Sequence, residues 1–266
     1  MSQARHILAL SGGKDSTALA IYLRDRIPEM EYVFCDTKKE LPEIYEYLDR
    51  IEAFLGKKIK RLCDDRGFDH WLEVFGGFLP SSQMRWCTKI LKIKPFEDYI
   101  GDDEVKMYVG IRADENRQAY VSTKPNITPV LPFKDDGLVR DDIFRILKES
   151  GVGLPKYYSW RTRSGCYFCF FQRKQEWAGL LKNHPDLFEK SIEYEKVDKE
   201  GNGYTWGQNE SLVQLSDPDR IKEIEERHHI SLNKIQQNNS KRPLHEILEE
   251  INDDDSDDTP CSFCHI

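Results

Sequence analysis

The sequence of 266 residues lacks any apolar run near the roughly 18 residues that a membrane-spanning helix requires, so we expect no membrane partner. It also lacks a recognisable signal peptide, because the opening residues Met-Ser-Gln-Ala-Arg-His lead directly into an apolar run, and we expect a cytoplasmic protein. In that reducing compartment the seven cysteines are not expected to form a disulfide framework. Metal binding, redox chemistry or burial remain as their roles.

The sequence shows no excess of positive charge, since its formal net charge is -8. Seven of the 47 acidic residues, however, lie between Glu249 and Asp258, which leaves 40 acidic against 39 basic residues in the rest of the chain. Binding to nucleic acid would therefore depend on local basic patches. The candidate patches are Arg85, Lys89, Lys92 and Lys94 in one group and Lys156, Arg161, Arg163, Arg173 and Lys174 in another.

Short apolar, β-branched runs alternate with helix-like segments in the first half of the chain. The alternation predicts an α/β fold with a five-stranded, mainly parallel sheet that is covered on both faces. The predicted strands are 7–10, 32–35, 58–62, 106–111 and 127–131, with helices near 17–27, 41–55 and 89–99 between the first four.

Beyond residue 138 the strand pattern ends and helical patterns follow. These helical segments are 141–150, 173–182, 184–195 and 217–227. We therefore predict an α/β nucleotide-binding domain over 1–137, a helical cap with a Cys-x-x-Cys motif over 138–250, and an acidic flexible tail over 251–266 that ends in a second Cys-x-x-Cys.

Ser-Gly-Gly-Lys-Asp-Ser-Thr, residues 11–17, joins the first predicted strand to the first predicted helix. At this edge of a parallel sheet the unpaired N–H groups of a helix favour anions, and Gly12 and Gly13 let the backbone approach a phosphate closely. The spacing differs from that of a GxxxxGK[ST] P-loop. Asp15 would repel phosphates unless it holds Mg²⁺ or caps the helix. An ordinary turn with an N-cap is the alternative interpretation.

This stretch resembles the Ser-Gly-Gly-x-Asp-Ser loop of the ATP pyrophosphatases, the adenine nucleotide α-hydrolase superfamily that includes the phosphoadenylylsulfate (PAPS) reductases. Three further segments resemble the PAPS reductase branch in the same order, so that the likeness spans about residues 5 to 175. They are Cys35-Asp-Thr-Lys-Lys-Glu-Leu-Pro-Glu-Ile-Tyr-Glu46, Arg85-Trp-Cys-Thr-Lys-Ile-Leu-Lys-Ile-Lys-Pro95 and Gly110-Ile-Arg-Ala-Asp-Glu-Asn-Arg117. The resemblance implies a Rossmann-like fold of the adenine nucleotide α-hydrolase type with a C-terminal helical cap.

The resemblance also implies ATP as the bound nucleotide. Sulfonucleotide reductases usually carry an altered first loop, whereas members that cleave ATP to AMP and pyrophosphate keep Ser-Gly-Gly-x-Asp-Ser, as this chain does. The implied phosphate-binding residues are Ser11, Gly12, Gly13, Asp15, Ser16 and Thr17, with Mg²⁺ at Asp15. Lys14, Asp15 and Arg112 are the catalytic candidates.

Three further residues complete the predicted nucleotide site. Asp36 follows the second strand and would face the nucleotide, with a helix N-cap shared with Thr37 as the alternative. Gly110 ends the fourth strand, where a side chain would crowd the adenosine. Arg117, together with Arg112, could clamp a phosphate bidentately.

Cys166 and Cys169 form a Cys-x-x-Cys motif after two arginines, and two such thiolates can reach one metal. Cys87 would be a third ligand, and the resemblance implies a four-iron cluster, because related enzymes with this arrangement of cysteines bind one. Trp86, however, stands where assimilatory reductases have a further cysteine. Three alternatives stay open. They are a 4Fe-4S cluster on Cys87, Cys166, Cys169 and a tail cysteine, taken as Cys264; a Zn²⁺ site on Cys166, Cys169, Cys261 and Cys264; and a mobile redox dithiol in the tail.

An intact pyrophosphatase loop beside a cysteine cluster implies adenylation of an acceptor by ATP, followed by attack of sulfur delivered by a cysteine desulfurase. Among such relatives the chain is similar to the ATP pyrophosphatase component of DNA phosphorothioation systems, so DNA or another nucleic acid is the expected acceptor. The alternatives are a phosphoadenylylsulfate or adenylylsulfate reductase that uses a C-terminal cysteine, and a non-catalytic nucleotide-binding scaffold.

Overall fold

The structure is a computed structural model that describes residues 4–115, 124–197, 203–207 and 210–238. The chain forms two compact units. The first contains the described parts of Met1–Phe68 and Trp86–Pro155, and the second contains those of Asp69–Arg85 and Lys156–Pro260. None of the helices in the described ranges is long and apolar enough to cross a membrane.

A five-stranded parallel sheet with the order β3-β2-β1-β4-β5 is the centre of the first unit. The strands are β1 Arg5–Ala9, β2 Glu31–Cys35, β3 Ile59–Leu62, β4 Val105–Tyr108 and β5 Ile127–Val130. The predicted α/β fold is therefore confirmed. β2 and β3 lie on one side of β1, and β4 and β5 lie on the other. The boundary between β1 and β4 is therefore the switch point of the strand order, and open α/β sheets bind ligands at such a point.

Helices follow the strands of the first unit as the alternation predicted. They are α1 Lys14–Leu23, α2 Pro42–Leu55, α3 Gly67–Val74, α4 Trp86–Thr88, α5 Lys94–Ile100, α6 Pro132–Asp135 and α7 Arg140–Glu149, with a π-helical turn over Lys89–Ile93. Only the start of α3 lies in this unit. Most of α1 is buried, and α1 packs against α7. α7 therefore belongs with the sheet and not with the predicted helical cap over 138–250.

The second unit is mainly helical and has an aromatic core. A 3₁₀ turn over Lys156–Ser159 precedes α8 Lys174–Asn183, α9 Pro185–Glu193, α10 Leu212–Leu215 and α11 Pro218–Asn238. A short antiparallel pair, β6 Lys196–Val197 with β7 Gly203–Tyr204, was not predicted. The indole Nε1 of Trp206 donates to Ser191 O at 2.9 Å, and the Glu195 carboxylate accepts from the backbone of Trp206 and Leu212, which joins these elements around the core.

Candidate nucleotide-binding site

The predicted phosphate loop lies at the switch point of the sheet. Leu10 N donates to Val33 O at 2.7 Å, which continues the pairing of β1 with β2 up to the loop, and α1 begins at Lys14 with Gly13 as its N-cap residue. Within the described ranges, no side chain forms a capping hydrogen bond at this helix N-terminus. The N-terminus of a ten-residue helix therefore opens at the carboxyl edge of β1, where its first N–H groups favour an anion.

The hydroxyl groups of the loop bind the loop itself. Ser16 Oγ accepts from Ser11 N and donates to Gly13 O, both at 3.2 Å, and Thr17 Oγ1 donates to Gly13 O at 2.8 Å. Gly13 N donates in turn to Ser11 Oγ at 3.3 Å. These bonds hold the backbone of the loop in one conformation, so the hydroxyls preorganise it in addition to any contact with a ligand.

Two glycines are required by close packing around this loop. Gly12 has a φ of +74°, and a Cβ there would lie 2.8 Å from Cγ2 of Ile44 in α2. At Gly110 a Cβ would lie 3.0 Å from Asp15 O and 3.1 Å from Asp15 C. The backbone of Asp15 thus passes directly over Gly110, which is a closer reason for this glycine than the room for adenosine that the sequence predicts.

Asp15 is the centre of a buried group of charges. Its Oδ2 accepts from Lys14 Nζ at 2.9 Å, and its Oδ1 accepts from Arg112 Nη1 at 3.0 Å. The exposed fractions of Lys14, Asp15 and Arg112 are 7%, 4% and 7%. Two of the three catalytic candidates thus contact the third, across the gap between the ends of β1 and β4.

Arg112 carries more negative charge around it than Asp15 alone. Its Nε donates to Asp114 at 2.9 Å, and its Nη1 lies 2.8 Å from a carboxylate oxygen of Glu115. Burial, the largest single effect, would lower the pKa of Arg112, but the three carboxylates together outweigh it and raise that pKa. Arg112 is therefore a buried cation.

Asp114 and Glu115 were not among the site residues chosen from the sequence. Glu115 belongs to the Gly110–Arg117 segment that resembles the PAPS reductase branch, so the resemblance was the available signal. Together, Lys14, Arg112 and the three carboxylates carry a net charge of −1. A phosphate that approaches Arg112 must compete with these acids or arrive with a cation.

Asp36 follows β2, as predicted, and its Oδ1 accepts from Lys38 N at 2.7 Å and from the Tyr45 hydroxyl at 2.8 Å. The alternative interpretation of Asp36 and Thr37 as a helix N-cap is wrong, because the N-cap residue of α2 is Leu41. Tyr45 lies on α2 and was not recognised as a partner from the sequence. Arg117 lies outside the described residues.

The paired cysteines of the second unit lie on a hydrogen-bonded turn. Cys169 N donates to Cys166 O at 3.0 Å, and Gln172 N donates to Cys169 O at 2.8 Å. The two residues between the cysteines are buried, since Tyr167 is 5% and Phe168 is 2% exposed, whereas both cysteines are half-buried. The turn is thus fixed by its central aromatic residues, and its sulfur atoms remain partly accessible.

The proposed metal ligands are distributed over both units and the undescribed tail. Cys87 lies on α4 in the first unit, Cys166 and Cys169 lie in the second, and Cys261 and Cys264 are outside the described residues. Among the residues that the structure describes, no three His, Cys, Asp or Glu side chains form a metal site. Cys35 is buried in β2, and burial raises the pKa of its thiol to about 12, which makes it a structural residue.

Comparison with known proteins connects the first unit to a family. Residues 5–136 match the sequence profile of the phosphoadenosine phosphosulfate reductase domain. An uncharacterized protein of Methanocaldococcus jannaschii is 28% identical over 216 residues, which are 75% of this chain and 44% of that protein. An uncharacterized 37.8 kDa protein of Escherichia phage 186 is 26% identical over 72% of this chain and 75% of its own length. The chain thus spans less than half of the archaeal relative.

A solved structure shares the fold. A phosphoadenylyl-sulfate reductase from Candida auris, in complex with phosphate, superposes with a TM-score of 0.52 and 13% sequence identity. The superposition covers 63% of this chain and 84% of that enzyme. At this identity the likeness concerns the architecture of the sheet and its helices.

Proposed function

Since this chain belongs to the phosphoadenosine phosphosulfate reductase-like family through its residues 5–136, we propose that it is a nucleotide-dependent sulfur-transfer enzyme that cleaves ATP to AMP and pyrophosphate. The buried contact of Asp15 with Lys14 and Arg112 carries this proposal. Both the family match and the shared fold support the first element of this proposal, the binding of an adenine nucleotide. The choice of ATP rests on the intact loop of residues 11–17.

The residues of the first unit would act by binding and orientation. The N–H groups at the start of α1 would bind phosphate oxygens, while Lys14 and Arg112 would place positive charge beside the bond between the α- and β-phosphates. Asp15 holds both cations in position through its two carboxylate oxygens. Transfer of the AMP moiety would activate an acceptor oxygen for replacement by sulfur.

Mg²⁺ fits this donor set through Asp15 and, when bound, would neutralise phosphate charge. Both carboxylate oxygens of Asp15 already accept from a cation, so the ion would share Asp15 with Lys14 and Arg112. The ligand set for a 4Fe-4S cluster is incomplete within the described residues, because Cys264 lies outside them. A cysteine desulfurase as sulfur donor and a nucleic acid as acceptor, as in DNA phosphorothioation, belong to the proposal through the resemblance of the sequence.

The test of this function is the substitution Asp15→Asn, with Asp103→Asn as its control. Asp103 is an exposed residue that pairs with Arg5 on the surface, so its loss should leave nucleotide chemistry unchanged. We expect Asp15→Asn to lower pyrophosphate release by about 100-fold, because the two cations lose their common partner and Mg²⁺ loses its ligand. Calorimetry should show that ATP binding depends on Mg²⁺ in the unaltered protein and not in Asp15→Asn. An unchanged rate of pyrophosphate release would overturn the proposal.

The family match also favours a second candidate, a sulfonucleotide reductase with a C-terminal cysteine as nucleophile. Calorimetric titration with Mg-ATP, phosphoadenylylsulfate and adenylylsulfate separates the two functions without knowledge of the acceptor. Tighter binding of ATP supports the pyrophosphatase. Tighter binding of a sulfonucleotide, together with sulfite formation in the presence of thioredoxin, would establish the reductase instead. Nucleotide binding without turnover under either condition would indicate the non-catalytic scaffold.

A further inference from the structure

The second unit contains a cavity of about 350 Å³ that the nucleotide site and the cysteines do not use. It lies between α8 and α11, which pack against each other, and the turn that ends at Trp160. Its lining includes Gly179, Lys182 and Asn183 of α8, Glu225 and His229 of α11, and Trp160. Cavities of this size bind small organic groups.

The indole ring of Trp160 lies against the backbone of α8. A Cβ on Gly179 would lie 2.7 Å from Cε3 and 3.2 Å from Cβ of Trp160, so any side chain at this position would displace the ring. The ring also meets that of His184, the C-cap residue of α8, with centroids 6.0 Å apart. Trp160 is half-buried, and its Nε1 has no hydrogen-bond partner in the described part of the chain. The cavity therefore has an aromatic wall in a defined position with an unused donor.

The other polar groups of the cavity add both a donor and acceptors. Lys182 and Glu225 are exposed, and within the described ranges neither forms an ion pair or a side-chain hydrogen bond. Asn183 Nδ2 donates to Gly179 O at 2.8 Å, which leaves Asn183 Oδ1 as an acceptor. An inorganic anion offers acceptors only and a metal ion requires acceptors only, so either would leave part of this set unused.

A nucleobase matches the whole set. It is planar and aromatic, and its edge carries donors and acceptors side by side, which carboxylate and amide groups recognise by hydrogen bonds. An aromatic side chain such as Trp160 contacts any base through the face of the base. Lys182 supplies a positive charge for the phosphate that accompanies a base in a nucleic acid.

The open rim favours a base within a strand over a free nucleotide. Of the residues that line the cavity only Ala178 is buried, whereas Lys182, Asn183, Glu225 and His229 are exposed. Sites for free small ligands bury most of the ligand surface. This cavity can enclose a base while the sugar and phosphate stay outside, where a strand can continue in both directions. A base in a duplex is stacked and paired, so the strand must be single.

We propose that this cavity binds an unpaired base of a single-stranded nucleic acid. Trp160 contacts the base, Glu225 and Asn183 bind its edge, and Lys182 pairs with the adjoining phosphate. Because a carboxylate accepts from amino groups, cytosine should bind more tightly than thymine. The proposal rests on the proposed function, in which a nucleic acid is the acceptor, and deepens it by naming the form of that acceptor and its binding site.

The experiment uses the full chain without ATP and measures the binding of labelled oligo-dC, oligo-dT and a duplex by fluorescence anisotropy at a range of salt concentrations. Trp160→Leu removes the indole, Gly179→Ala displaces it, and Glu225→Ala and Lys182→Gln change exposed groups that should not affect folding. Lys190→Gln is the control, because Lys190 is an exposed lysine of α9 that pairs with Asp186 on its own helix. Circular dichroism establishes that each variant is folded.

We expect oligo-dC to bind more tightly than oligo-dT and the duplex. Trp160→Leu should weaken the binding of both single strands about tenfold or more, and Gly179→Ala should weaken it in the same direction. Lys182→Gln should weaken both and reduce the dependence of affinity on salt. Glu225→Ala should remove the preference for oligo-dC, and Lys190→Gln should change nothing.

Three results would overturn the proposal. They are equal affinity of the unaltered protein and the Trp160→Leu and Lys182→Gln variants, binding of the duplex that equals or exceeds that of the single strands, and binding of free CMP as tight as that of oligo-dC. Because ATP is absent and pyrophosphate is not measured, these results are independent of those for Asp15→Asn. Each proposal can therefore fail alone.

Discussion

The side chain of Asp15 shows how one residue organises the candidate nucleotide site. It lies on the first turn of α1 and binds a cation from its own helix, Lys14, and one from the segment after β4, Arg112. Both ion pairs are nearly dry, and breaking one partner of a buried pair leaves an uncompensated charge. The site is therefore sensitive to changes in this residue and in the backbone beside it.

At the residue scale, Gly12→Ala should destabilise the protein more than Gly56→Ala. Both glycines have a positive φ, +74° and +65°, but a Cβ at Gly56 meets nothing within 4 Å, whereas at Gly12 it meets Ile44. We expect a loss of about 1 kcal/mol for Gly56→Ala from its backbone conformation alone, and about 1–3 kcal/mol more for Gly12→Ala from crowding. Urea unfolding measures both. Equal losses would mean that α2 moves away without cost.

Glu176→Gln should change how stability depends on pH. Burial, the largest effect, raises the pKa of Glu176, but Arg163, Arg161 and two backbone N–H groups outweigh it, so the pKa is lowered. A lowered pKa in the folded state means that the carboxylate stabilises the fold above its unfolded value of about 4.3 and that this contribution is lost as pH falls through the folded pKa.

We expect Glu176→Gln to cost about 2 kcal/mol at pH 7 and to show less loss of stability on acidification than the unaltered protein. Urea unfolding between neutral and acid pH measures this, with the exposed Glu189→Gln as the control. If the stability of Glu176→Gln fell with pH in parallel with that of the unaltered protein, a lowered pKa of Glu176 would be contradicted.

Part of the candidate site was predictable residue by residue. The loop of residues 11–17 and Arg112 were each placed after a strand by the sequence pattern. Their contact depends on β1 and β4 being neighbours, and the alternation of strands and helices does not encode that order. Likewise, the pairing of Tyr45 with Asp36 depends on where α2 packs, which local patterns do not determine.

At the scale of elements, the Cys-x-x-Cys turn is held by aromatic packing. The ring of Phe168 stacks on Trp206 with centroids 5.0 Å apart and meets Tyr194 edge-on at 5.1 Å. The Tyr194 hydroxyl donates to Asp69 at 2.7 Å, which connects this cluster to the first segment of the second unit. A short turn without regular structure thereby gains a fixed position.

Phe168→Leu should loosen this turn and expose its thiols. Loss of the ring contacts is expected to cost about 1–3 kcal/mol and to speed alkylation of Cys166 and Cys169 about tenfold under native conditions, because local opening becomes easier. Phe170→Leu is the control, since Phe170 is only half-buried and contacts Phe171. Mass spectrometry after timed alkylation gives the rates. Equal rates in both variants would show that Phe168 does not anchor the turn.

The central strands β1 and β2 were predicted well because a parallel strand that is buried on both faces requires consecutive apolar residues, such as Ile7 and Leu8 in β1 and Val33 and Phe34 in β2. β4 ends at Tyr108, earlier than predicted, although Val109 N still donates to Val130 O of β5 at 3.0 Å. The buried residues Val109 and Ile111 continue the apolar pattern beyond the strand. The pair β6 and β7 has two residues in each strand, too few for any periodic pattern. The π-helical turn at Lys89–Ile93 interrupts a helical pattern that looks uniform in the sequence.

At the scale of the whole chain, the candidate ligand cysteines are divided among the two units and the tail, and the sequence alone does not show which of them share a site. Cys87 belongs to the first unit, Cys166 and Cys169 to the second, and the tail carries Cys261 and Cys264. The 4Fe-4S hypothesis takes Cys87, Cys166, Cys169 and Cys264 as ligands. Zinc on the two Cys-x-x-Cys motifs would leave Cys87 out.

Single serine substitutions distinguish these ligand sets. We expect Cys87→Ser and Cys264→Ser to lose iron and acid-labile sulfide from anaerobically purified protein, and Cys261→Ser to retain both, because only four thiolates complete the cluster. The buried Cys35→Ser is the control for general damage to the fold. Zinc that is retained in Cys87→Ser but lost in both tail variants would replace the cluster by a Zn²⁺ site. Absence of any metal, together with unchanged spectra in every variant, would assign the tail cysteines to dithiol chemistry.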